Sequence, residues 1–130
     1  MAVRIVRLGA PRLPGEGLRV GTVRRPPRGV AAKDFARRNF YDAWLPELSP
    51  SAELVAFAQG GPWTAKRWAA FLRRYRREMN EPTPRRLLAL FASLSRTADI
   101  SVGCYCPDEK RCHRSLLQEL LEEKGALIRK

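Results

Sequence analysis

Apolar positions recur along this chain in more than one rhythm, and each rhythm predicts a different element. Trp68, Phe71, Leu72, Tyr75 and Met79 fall at i, i+3, i+4, i+7 and i+11, which is one face of an α-helix. Thr83 as cap and Pro84 at the first helical position predict a second helix, with Leu87, Leu88, Phe91 and Leu94 on one side and an end before Asp99. A shorter helix is expected to open on Ser49 as cap and Pro50, with Leu54, Val55 and Ala58 facing inward, and to end at Gly60-Gly61-Pro62. Leu116, Leu117, Leu120 and Leu121 give the stripe of a last helix, stopped by Gly125.

The amino-terminal third lacks this spacing. Val3, Ile5, Leu8 and then Leu18, Val20, Val23 read as two strands separated by a Pro/Gly loop, and Ile100 to Gly103 as a third strand running into Cys104. Arg24-Arg25-Pro26-Pro27-Arg28-Gly29 stops any regular element and makes a rigid basic corner. A short helix is expected over Lys33 to Arg38, followed by Phe40, Tyr41, Trp44 and Leu45, too apolar to lie exposed and placed mostly in the core. Four helical stretches against roughly three strands predict an α/β fold: a single domain over residues 1–130, with a small, mostly parallel sheet and several helices packed around it.

Composition changes this picture in one respect. Apolar residues at 45% and charged residues at 29% are ordinary for a globular protein and exclude a disordered or fibrous chain. The formal net charge of +12 is not ordinary, and twenty of the 25 basic residues are Arg, whose flat five-donor fork suits phosphate and carboxylate. An anionic ligand or a nucleic acid is therefore the expected partner. The outer face of the Trp68 helix carries Arg67, Arg73, Arg74 and Arg77 with no acid before Glu78, and these four are the candidate nucleic-acid contacts. The opening Met1 to Leu8 is neither a signal peptide nor a membrane span, so no membrane association and a cytoplasmic location are expected. Oligomeric state is left open.

Three cysteines within nine positions do not make a disulfide scaffold and fit a reducing compartment. Cys104, Cys106, Cys112, His113 and Arg114 fall where a strand enters a helix, the place where α/β sheets put ligands because the helix's first amides lack partners. Cys112 there feels the macrodipole and its basic neighbours, which favour thiolate. Cys112, Cys104 and His113, the only histidine, are the candidate catalytic residues, and Arg114, Arg111, Arg24 and Arg28 the candidate anion-binding ones. Buried, purely structural cysteines are the plain alternative. Zinc on Cys104, Cys106, Cys112 and His113 is a further one, though the spacing makes an awkward chelate. A rhodanese-like anion loop over Cys106 to Arg111 is opposed by Pro107, which removes an amide, and by Asp108 and Glu109. No Walker or Gly-rich dinucleotide loop is present, which excludes the usual nucleotide-hydrolase and dehydrogenase readings.

Cys104, seven intervening residues and then Cys112-His113-Arg114-Ser115 with the following leucines resemble the closing motif of the domain of unknown function 488 (DUF488) family. Pro27-Arg28-Gly29, Tyr41-Asp42-Ala43-Trp44-Leu45-Pro46, Pro50-Ser51 and the Trp68, Phe71, Tyr75, Glu78, Met79 helix resemble family positions in the same order. The resemblance implies a bacterial or archaeal cytosolic α/β protein and no settled reaction. Where Cys106 stands, similar sequences often carry an acid, so a three-cysteine site is expected to be peculiar to this branch.

Overall fold

A computed structural model describes residues 1–106 and 112–129. Its strands are β1 (Val3–Arg7), β2 (Leu18–Gly21), β3 (Ala43–Trp44), β4 (Ile100–Cys104) and β5 (Ile128–Arg129). Its helices are α1 (Ala52–Gln59), α2 (Ala65–Met79), α3 (Pro82–Leu94) and α4 (His113–Glu123). All pairings are parallel, in the order β3-β2-β4-β1-β5. The α/β architecture expected from the periodicity is present, with five strands instead of roughly three. The two extra strands are two residues long, too short to leave an alternating pattern.

β4 lies at the centre and every one of its residues is buried, as expected of a parallel strand covered on both faces. It contains a glycine for a steric reason: a Cβ at Gly103 would run into the Val6 carbonyl of β1. At Gly21 of β2 the Tyr41 ring occupies the space a side chain would take. Val3, Val20, Ile100 and Val102 from the sheet meet Phe71, Tyr75, Leu88, Leu117 and Leu121 from the helices in the main core. A second cluster, Leu8, Val23, Tyr41, Cys104 and Cys112, forms where β1, β2 and β4 end. That is the carboxyl edge of the sheet, the usual place for an α/β ligand site.

Helix starts differ from the predicted ones. Ser51, not Ser49, caps α1, its hydroxyl accepting from the Leu54 amide at 3.2 Å. Ser49 is instead buried, its hydroxyl donating to the Pro50 carbonyl. α3 begins at Pro82 after Glu81, two residues earlier than Thr83 and Pro84 suggest, because Pro82 equally suits a first helical turn. Over Lys33 to Arg38 only a 3-10 turn, Ala32–Asp34, forms. Of the aromatic segment only Tyr41 is buried. Trp44 is exposed, its indole N–H donating to the Val23 carbonyl at 2.7 Å.

One buried polar cluster escaped the sequence. Arg19 is fully covered. Its Nε and Nη2 donate to the two carboxylate oxygens of Glu16 at 2.5 and 2.9 Å, and its Nη1 donates to the carbonyls of Ala10 and Asn39. Ser101 of β4 donates a further hydrogen bond to Glu16. These bonds overcome the burial that works against charge, and Glu16 is held at a pKa of about 2.

Candidate functional site

The site is built from the end of β4, the start of α4 and the basic corner after β2. Cys104 is the last residue of β4 and is buried, Cys106 lies two residues beyond it and is exposed, and Cys112, also buried, is the N-cap of α4. The three sulfurs lie within 4.8 Å of one another, with Cys104 Sγ and Cys112 Sγ at 2.6 Å. Three thiols so close cannot all carry charge, and their hydrogen bonds decide where one charge sits. Donation from the Cys104 and Cys112 thiols pulls the Cys106 thiol far below its usual range, and the Arg114 guanidinium adds to the effect. Cys104 is pushed up by its bonds to Cys106 and Cys112 and by burial. For Cys112 the bond from Cys104 favours thiolate, but its own bond to Cys106 together with burial outweighs this, and its pKa rises.

The helix start was expected to make Cys112 the easily ionised sulfur. In the structure the Cys112 thiol is instead pushed up, by its bond to Cys106 and by burial, and the Cys106 thiol is the one pulled down. His113 adds no charge either. It is buried, which lowers its pKa to about 4, so the ring is neutral near pH 7. Its Nε2 lies 2.9 Å from the Thr22 carbonyl, an acceptor only, so Nε2 carries the proton. Nδ1 is left as the basic nitrogen, 3.6 Å from Cys112 Sγ. The ring also packs edge-on against Tyr75, whose hydroxyl donates to the Leu48 carbonyl.

Above the sulfurs opens a cleft of about 930 Å³. One wall is the basic corner, Arg24, Arg25 and Arg28. Arg24 is fixed by hydrogen bonds from Nε to the Pro50 carbonyl and from Nη2 to the Ser49 carbonyl, at 3.1 and 3.4 Å, while Arg25 and Arg28 are exposed. The Tyr105 hydroxyl holds the corner by donating to the Arg25 carbonyl at 3.0 Å. The opposite wall is apolar, from Val55 and Ala56 of α1 to Trp63 and Phe71. Among the described residues no acid lines the cleft, whereas all three of its arginines do so from one side.

The structure thus brings together Arg24, Arg28, Cys104, Cys112 and His113 of the predicted catalytic and anion-binding set with Cys106, named above as a candidate metal ligand, and adds Arg25. Arg114 is close to the sulfurs but is not in the cleft wall: it is 3% exposed, and its Nη2 donates to the Cys106 carbonyl at 2.7 Å. Arg111 and the proposed Cys106 to Arg111 loop lie outside the described residues, except for Cys106 itself. The nucleic-acid candidates do not act as one face. Arg67 is turned into the fold, bonding to the carbonyls of Gly61, Pro62 and Phe57 and stacking on Phe57 and Trp63. Arg74 lies over the Phe57 ring while remaining exposed, and Arg73 and Arg77 are exposed as well.

The placement of Cys106 had a signal in the chain. Strand residues alternate between faces, and a cysteine two positions past a buried strand end lies in the loop that leaves the sheet. The three sulfurs could hold a metal ion; His113 stands apart from that trio. No helix among the described residues is long and apolar enough to cross a membrane. A family model described as the active DUF488-N3 subclade matches residues 3–125. No curated protein and no solved structure matches the chain.

Proposed function

The chain belongs to the DUF488 family, and within that family we propose that it works as an anion-binding thiol site, with Cys106 as the nucleophile and Arg24, Arg25 and Arg28 as the anion grip. The observation that carries this reading is a cysteine, exposed where its two neighbours Cys104 and Cys112 are buried, in the lining of a cleft whose described charged groups are guanidiniums. A thiolate attacks and a thiol does not, so the low pKa of Cys106 supplies the reactive form at neutral pH. Cys104 and Cys112 act by donating hydrogen bonds to it. Arg114 holds its carbonyl and gives the thiolate a permanent cation. The description of the matched subclade as active agrees with a reacting group.

Alkylation tests both halves at once. Cys106 is expected to react at pH 7 faster than free cysteine, and to prefer anionic iodoacetate over neutral iodoacetamide more strongly than free cysteine does. That preference should fade with salt and in an R24A/R28A variant. Reactivity no greater than that of a thiol of pKa about 8.5, with no charge preference, overturns the reading.

Zinc is the competing use of the same sulfurs, supported by their mutual approach within 4.8 Å. Native mass spectrometry after purification with zinc decides it: a stoichiometric zinc mass supports a metal centre, and the apo mass removes it.

A further inference from the structure

The site holds more sulfur than one nucleophile needs. A thiolate that attacks a disulfide becomes a mixed disulfide, and it stays blocked until a second thiol reaches its sulfur. The fold places a second and a third thiol within 4.8 Å, on different elements, and covers both, so that an incoming molecule meets Cys106 first. The two covered thiols are not equivalent. Cys104 is held in the central strand and is separated from Cys106 by a single residue, which makes their direct linkage a very small ring. Cys112 lies at the mouth of α4, with the basic Nδ1 of His113 at 3.6 Å to receive its proton.

Building on the thiolate reading above, we propose that the protein carries out thiol–disulfide exchange with small acidic disulfides, Cys106 being the attacking sulfur and Cys112 the resolving one. In the first step Cys106 thiolate attacks one sulfur of RS–SR. The Cys106–S bond forms as the substrate S–S bond breaks, and RS⁻ leaves and takes a proton from water. In the second, Cys112 gives its proton to His113 Nδ1 and its sulfur attacks Cys106. The Cys106–Cys112 bond forms, and the second RS⁻ leaves with the proton returned by His113. The substrate disulfide gains two electrons and is released as two thiols, while the protein's dithiol is oxidised to one disulfide. A small thiol reverses both steps. The guanidinium wall of Arg24, Arg25 and Arg28 selects disulfides that carry carboxylates.

The experiment uses the reduced full chain with oxidised glutathione or cationic cystamine, blocking with N-ethylmaleimide and intact-mass and peptide analysis. Wild type is expected to lose two blockable thiols, retain no adduct and yield a Cys106–Cys112 linked peptide. C112S should accumulate one glutathione on Cys106, C106S should do neither, and oxidised glutathione should react roughly tenfold faster than cystamine at low salt. A wild-type protein that accumulates the adduct, a linkage through Cys104, a C112S variant that clears its adduct as fast as wild type, or equal rates with the two disulfides overturns the proposal. The linked peptide is read in wild type, so the test stands even if a variant folds poorly. Fast iodoacetate labelling of Cys106 without exchange rejects this inference alone; slow labelling rejects the thiolate reading beneath it.

Discussion

Arg19 and Arg114 are both buried guanidiniums, yet their surroundings differ in kind. Arg19 faces both oxygens of Glu16 and two carbonyls, so its charge is neutralised and its donors are used. Arg114 has the Cys106 carbonyl, its Nε is buried without a partner, and among the described residues it forms no ion pair. A buried cation without a carboxylate is costly, and among the described residues Arg114 bears on the Cys106 thiol, which it helps to pull down. The first arginine is architecture, fastening the β1–β2 loop to the sheet. On the proposed thiol chemistry, the second would answer the charge of the attacking sulfur.

Breaking the Arg19 pair should therefore give the largest loss of stability. E16A leaves a covered guanidinium uncompensated and is expected to cost about 3–5 kcal/mol in urea unfolding, with E16M/R19M recovering part of it. A loss under about 1 kcal/mol for E16A would mean that the pair is not the anchor its geometry describes.

Acid should separate the two regions in order. His113 has its pKa lowered from 6.5 to about 4 by burial, so the folded state binds this proton less readily than the unfolded chain. Its contribution is complete above pH 6.5 and is lost as pH falls toward 4. Glu16 is lowered from 4.5 to about 2, so its contribution is complete above 4.5 and is lost as pH falls through 2. H113Q is expected to flatten the stability profile between pH 6.5 and 4 and leave the lower limb intact. An unchanged upper limb in chemical denaturation would show that His113 is not the group that titrates there.

R114M probes the other arginine. Removing a cation with no buried carboxylate partner should change stability by no more than about 1 kcal/mol, while Cys106 loses both its clamp and its permanent charge. Its alkylation at pH 7 should fall once the thiol pKa has risen past 7, roughly tenfold for each further unit. R114K keeps the charge without the planar fork and should restore part of the reactivity. A variant that labels like wild type would leave Arg114 a structural residue only.

Much of this was legible in the chain, and the reasons differ by element. α2 and α4 were readable because their stripes repeat over many residues, and β4 because a short apolar run ended at the cysteines. β3 and β5 were not, since two residues carry no period. The caps of α1 and α3 slipped because Ser49 and Ser51, or Pro82 and Pro84, satisfy the same local rule, and tertiary packing chooses between them. The sulfur cluster was visible as a location, but which sulfur ionises was not. Burial and the direction of thiol hydrogen bonds set it, and neither can be read from position along the chain. The Glu16–Arg19 pair was not legible, because i,i+3 spacing outside a helix gives no hint of a closed pair.

The smallest expected effects lie on α2, where the same contrast between used and unused arginines recurs. Arg67 is spent on three backbone carbonyls and two rings, so R67A should cost about 2 kcal/mol in thermal or urea unfolding. Arg73 and Arg77 are exposed, and removing either should change stability by less than about 0.5 kcal/mol. These two are accordingly where a nucleic-acid contact would be felt. If the helix binds phosphates, R73A/R77A should weaken binding to a short duplex at 50 mM salt and reduce the salt slope by nearly two ions, with no effect on Cys106 labelling. Binding that is absent at low salt, or indifferent to both substitutions, leaves the surplus charge of this face without a phosphate partner and the cleft arginines as the ones that meet an anion.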